Sequence, residues 1–233
     1  MPRPDRSAMI DFFLIQLVRG HPRDLVAVVA KELKVSRTAV VARVRNLIAE
    51  GHIVKRGTTR PLYSPGPNHV QMFFYKREGL EEDRVWRQDV LPMLRSAPQN
   101  VLEIAQYGLT EMVNNAIDHS EGNIVIVGVH QVAADLKLSV GDDGAGIFAK
   151  IAKALELPDQ RLALLELSKG KLTTDPSRHS GEGIFFTSRM FDTFQIRSGD
   201  LLFSHDASHE KDILLEASSP LMQEAKMSTM VRM

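Results

Sequence analysis

The stretch Leu109-Thr-Glu-Met-Val-Asn-Asn-Ala-Ile-Asp-His-Ser120 constrains the fold most, because its apolar positions and its acid or amide positions share one helical period. Glu111 and Asn115 stand four residues apart and so project from the same helix face. With Asn114 and Asp118 beside them, a carboxylate and a carboxamide one turn apart suit an oxygen-preferring cation and an oriented water. A solvated polar face has the same composition, so the pattern needs context.

That context lies downstream. Residues Leu136 to Val140 read as a strand that runs into Gly141-Asp-Asp-Gly-Ala-Gly146, a carboxylate followed by glycines that let backbone approach a ligand. Ser180-Gly-Glu-Gly-Ile184 then opens a helical pattern, offering backbone amides and a helix N-terminus to phosphates.

In this order the three signals resemble the GHKL ATPases, the superfamily of DNA gyrase B subunits, heat-shock chaperone ATPases, MutL, sensor histidine kinases and anti-sigma-factor kinases. The resemblance covers roughly the last three fifths of the chain; Glu111-Met-Val-Asn-Asn115-Ala matches the N box, Asp142 to Gly146 the first glycine box and Gly181-Glu-Gly183 the second. It implies an α+β, two-layer α/β sandwich of Bergerat type, a mixed sheet with helices on one face, that binds ATP with Mg²⁺.

Carried over residue by residue, Asn115 is the expected Mg²⁺ ligand, with Asp118 nearby, and Asp142 the acceptor for the adenine amino group. Gly144 and Gly146 are expected to keep backbone clear of base and lid hinge, and Thr229 to lie near the adenine, with Ser228 replacing a family glycine. Residues 147–180 correspond to the ATP lid, where Lys169, Arg178 and the amides near Gly181 and Gly183 are expected on the phosphates. Glu111 sits where gyrase, chaperone and anti-sigma members carry the carboxylate that activates a water or hydroxyl. Three departures stand out: Phe185 and Phe186 in place of a later Gly-Leu, Asp143 in place of the common Asn, and no phosphoaccepting His on a helix before the N box.

The net charge of zero conceals a split. Residues 1–70 hold 12 Lys and Arg against 5 Asp and Glu, while residues 71–233 hold 17 against 24. A basic module joined to an acidic one is the pattern of a chain whose front alone meets a polyanion. Helical spacing is expected from Ser7 to Arg19, from Arg23 to Lys34 and from a Ser36 cap to Glu50, with Gly51 as the stop. A basic hairpin, His52 to Tyr63, follows with its turn at Gly57.

Three helices and a basic hairpin resemble a winged helix-turn-helix, in which the third helix enters the major groove of DNA. Ser36, Arg37, Thr38 and Arg43 on that helix, with Lys55, Arg56 and Arg60 on the wing, are the expected nucleic-acid contacts. A protein-binding winged helix with a solvated basic surface is the alternative. The expected layout is a winged helix over 1–66, a linker strand and helix over 67–98, and the GHKL domain over 99–233.

Composition bounds the rest. No apolar run approaches 20 residues and the N-terminus lacks a signal-peptide core, so a cytoplasmic protein without a membrane partner is expected. With no cysteine, disulfides, thiolate metal sites and a cysteine nucleophile are excluded. The expectation is a DNA-binding regulator controlled by ATP in signal transduction or transcription. The alternative is an anti-sigma-type serine/threonine kinase with Glu111 as base; a protein partner and a homodimer stay open.

Overall fold

The computed structural model describes residues 6–94, 97–132, 135–168, 183–208, 211–216 and 219–233. It divides into two compact units, residues 1–72 with 128–137 and residues 73–127 with 138–233. The first boundary therefore falls at Met72, inside the stretch expected as a linker.

The first unit holds α1 (Arg6–Leu17), α2 (Leu25–Glu32) and α3 (Arg37–Ala49), followed by the hairpin β1 (Ile53–Arg56) and β2 (Leu62–Pro65). Ser36 caps α3 as expected: its hydroxyl accepts from the Ala39 amide at 3.2 Å, meeting one of the orphan donors at a helix start. Leu14, Val18, Leu25, Val29, Val40, Val44, Leu47 and Ile53 close the core, none more than 2% exposed. The hairpin is antiparallel, with Lys55 opposite Tyr63, and the Tyr63 amide bonds the Pro22 carbonyl at 2.8 Å.

Residues 70–72 join this unit through α1. The Gln16 side chain accepts from the Met72 amide at 2.9 Å and donates to the Val70 carbonyl at 3.3 Å.

The larger sheet takes the order β3-β4-β5-β9-β6-β7-β8. Its strands are β3 (Val70–Lys76), β4 (Ile124–Val132), β5 (Asp135–Asp142), β6 (Thr193–Ser198), β7 (Leu201–Asp206), β8 (Lys211–Glu216) and β9 (Thr229–Arg232). Every pair of described register is antiparallel. The class is α+β, and the mixed sheet expected from the sequence is corrected to an antiparallel one.

The last strand occupies the middle. Val231 stands opposite Val140 on one side and Ile196 on the other, and all three are buried. Burying a valine contributes roughly 1.5–3 kcal/mol, so β9 ties the two halves of the sheet together.

Between β3 and β4 the chain forms a short turn, α4 (Glu82–Arg84), which runs on as a π-helical stretch to Val90 and a 3₁₀ turn over Leu91–Met93. The single helix expected within 67–98 is thus broken into three, with Pro92 in the final turn. Trp86 is buried there at 3% exposure.

Next comes α5 (Gln99–His119), whose buried residues Ala105, Leu109, Met112, Val113 and Ala116 recur at helical spacing and leave Glu111 and Asn115 on the flank. It packs against α8 (Gly183–Met190). The first part of the expected lid is two helices, α6 (Ile147–Ala154) and α7 (Gln160–Ser168), with Phe148, Ile151, Ala163 and Leu164 buried. A five-residue helix, α9 (Pro220–Glu224), precedes β9. Among the described residues no helix is long and apolar enough to cross a membrane.

Candidate functional site

Asp142 ends β5 directly opposite Thr229, which begins β9. Both side chains are buried at 6% exposure. Burial disfavours the ionised form and pushes the Asp142 carboxyl up to about 6, against partial relief from the Gly144 amide and the Thr229 hydroxyl, which both donate to it. The Gly144 amide lies 2.9 Å from Asp142 Oδ1. Thr229 Oγ1 in turn accepts from the Ile147 amide at 3.2 Å. A buried acceptor is therefore held by donors from a loop and a strand, and the strand's hydroxyl is itself oriented by the amide at a helix start.

Gly146 precedes α6 with φ 84°, in the left-handed region where a side chain is strained. A Cβ there would also come within 2.9 Å of Ser198 Oγ. Gly144 is required by a different neighbour: a Cβ on it would overlap the Ser120 carbonyl at the end of α5. The Ala145 amide bonds that same carbonyl at 2.7 Å.

On α5, the Glu111 carboxylate lies against Gly183, where a Cβ would overlap Oε2. The first residue of α8 is thus pressed to the carboxylate, and a helix N-terminus favours negative charge. The Glu111 charge also adds to burial in raising the Tyr107 phenol above its ordinary range. Asn115, one turn on, carries a buried amide nitrogen with no hydrogen-bond partner among the described residues. A buried carboxamide end without a partner is costly unless something else meets it. Asp118 is exposed.

The structure therefore brings Asp142, Gly144, Gly146 and Thr229 together and sets Glu111 beside Gly183. Lys169, Arg178 and Gly181 lie outside the described residues. Among the described residues no group of three His, Asp or Glu side chains stands together as a metal site.

The sequence marked Asp143 only as a departure from the family pattern and gave no role to Ser120 or Arg77. Asp143 Oδ1 accepts from the Asn123 amide at 2.7 Å and the Ile124 amide at 2.8 Å. Arg77 donates to the Gly122 carbonyl at 2.6 Å and the Ile117 carbonyl at 3.0 Å. The signal available was the glycine at 122, which leaves room for the Asp143 carboxylate.

In the first unit Ser36, Arg37 and Thr38 at the start of α3 are exposed, as are Lys55, Arg56 and Arg60 on the hairpin. Arg43 pairs with Asp11 on α1, with Nε 2.7 Å from Oδ1 and a second nitrogen on Oδ2, and braces two helices. Arg45 and Asn46 are exposed instead, seven and eight residues after Thr38 and hence on its side of the helix. The buried positions Val40, Val44 and Leu47 already mark Arg43 as a flank and Arg45 as outward.

No protein-family model matches this chain, and no curated protein is significantly similar to it.

Proposed function

We propose that residues 99–233 bind ATP with Mg²⁺ in the manner of the GHKL ATPases and that the N-terminal unit is a winged helix that binds DNA, the pair acting as a nucleotide-controlled regulator. The observation that carries the reading is the buried Asp142 carboxyl held opposite Thr229. A buried carboxylate fixed by neighbouring donors is suited to accept the exocyclic amino group of adenine, and it disfavours a base that lacks such a group.

Asn115 would hold the cation brought by a triphosphate through its side-chain oxygen, since Mg²⁺ takes few protein oxygens and a neutral ligand adds no negative charge beside phosphate. Its buried amide nitrogen, without a partner among the described residues, is a donor suited to a phosphate oxygen. When bound, Mg²⁺ offsets charge on the phosphate oxygens. Glu111 is the candidate base. It would take the proton of an attacking water or hydroxyl as the new O–P bond forms and the bond to the ADP leaving oxygen breaks.

For the first unit the supporting observation is the exposed set Arg37, Thr38, Arg45, Lys55, Arg56 and Arg60 on α3 and the hairpin of a basic segment. Binding to random duplex that falls steeply with salt is expected. Binding that salt leaves unchanged speaks for a protein-binding module. Labelled phosphate passing from ATP to a partner's Ser or Thr, and lost in Glu111→Ala, would identify a kinase. Release of free phosphate alone would identify an ATPase.

A further inference from the structure

The nucleotide reading leaves unexplained why the turn after α5 is so heavily tied to the loop after β5. Seven hydrogen bonds among the described residues meet there. Asp143 Oδ1 accepts from the Asn123 and Ile124 amides at 2.7 and 2.8 Å, and the Ala145 amide bonds the Ser120 carbonyl at 2.7 Å. The Gly122 amide reaches Ser120 Oγ at 3.1 Å, and Arg77 covers the Gly122 and Ile117 carbonyls while its own amide bonds Asn123. Glycine at 122 and 144 lets the two segments touch, because a Cβ at either would overlap Asp143 or Ser120.

These contacts join the two halves of the proposed site. Asn115 stands on α5 a little over one turn before Ser120, and Asp142 is bonded in sequence to Asp143. We propose that Asp143 is a positioning residue: by pinning the start of β4 to the loop after β5, its carboxylate sets the spacing between the Asn115 amide and the Asp142 carboxyl. A carboxylate suits this work because one oxygen can accept two backbone amides, and charge-assisted bonds of this kind are short and strong. An amide oxygen can accept the same two bonds more weakly, whereas alanine leaves both amides unpaired.

The inference rests on the nucleotide reading, and its test separates the two. Full-length wild type, Asp143→Asn and Asp143→Ala are titrated with Mg·ATP and with adenosine, each alongside a melting curve. Adenosine needs the Asp142 half alone, whereas Mg·ATP needs both halves at the correct spacing. Asp143→Ala is expected to weaken Mg·ATP roughly tenfold or more, as loss of a supporting bond does at other sites, while adenosine affinity stays within about twofold and Asp143→Asn restores Mg·ATP binding. Equal Mg·ATP affinity in all three proteins overturns the inference. So does a parallel loss of both probes in Asp143→Ala, or an Asp143→Asn variant as weak as the alanine. Wild type binding neither probe removes the nucleotide reading itself, and the positioning role with it.

Discussion

Asp142 and Thr229 face each other across β5 and β9, the threonine hydroxyl donating to the carboxyl and accepting from the Ile147 amide. That relationship sets both the chemistry of the acceptor and its cost. Folding holds the proton on Asp142 up to about pH 6 instead of 3.8. The group therefore favours the folded state at acid pH and loses that contribution as pH rises through 6. Asp142→Asn, which cannot ionise, is expected to exceed wild type in stability at pH 8 by up to about 3 kcal/mol and to match it near pH 4. Urea unfolding at the two pH values checks this; equal stability at both denies the buried charge.

Thr229→Val removes the donor to Asp142 and leaves the Ile147 amide without its acceptor. A loss of about 1–3 kcal/mol follows at neutral pH. The Asp142 titration, read by NMR, is expected to move further up, and no movement would separate the two groups.

Gly144→Ala tests the close approach of the loop to α5. The obstacle is the Ser120 carbonyl, part of the backbone, which cannot swing aside as a side chain can. A destabilisation on the order of 2–4 kcal/mol is expected by denaturant titration. A change under about 0.5 kcal/mol would contradict the packing.

Acid acts oppositely on the first unit. His69 is 5% exposed, and desolvation holds it below 6.5, aided by the charges of Arg19 and His52 and opposed by bonding to Gln71 and to the His52 backbone. The unfolded chain takes up the proton that the folded unit refuses, so this contribution to stability falls as pH drops below 6.5. His69→Gln is expected to flatten the decline of the melting temperature between pH 7 and 5.5. An unchanged slope would show that His69 does not drive it.

Arg43 and Arg45 of α3 separate structure from binding. Arg43→Ala is expected to cost about 1–2 kcal/mol through its half-buried pair with Asp11. Arg45→Ala is expected to leave stability within about 0.5 kcal/mol and to lower the salt slope of duplex binding by about one. The reverse pattern would make Arg43 the contact.

Local signals carried most of the elements. The Ser36 cap gave α3 within a residue or two of its observed ends, and the period of Leu109 to Ser120 marked the second half of α5, since both depend on neighbours along the chain. Strand β5 was expected to stop at Val140 yet runs to Asp142, because its last two residues are held by Met230 and Thr229 from the far end of the chain. Long-range pairing of that kind leaves no local period. The same reason hides the insertion of β9 between β5 and β6, the antiparallel sense of the sheet and the clamp at Asp143. Arg43 is different: its place on the flank of α3 was available from the spacing of Val40, Val44 and Leu47.

The central claim is a nucleotide cradle built on Asn115 and Asp142. Calorimetric titration with ATP, with and without Mg²⁺, on wild type, Asn115→Ala and Asp142→Ala tests it most directly. Binding to wild type that Mg²⁺ strengthens is predicted, with the Mg²⁺ effect lost in Asn115→Ala and binding abolished in Asp142→Ala. Equal affinities in the three proteins, or a Mg²⁺ effect that survives in Asn115→Ala, would contradict it.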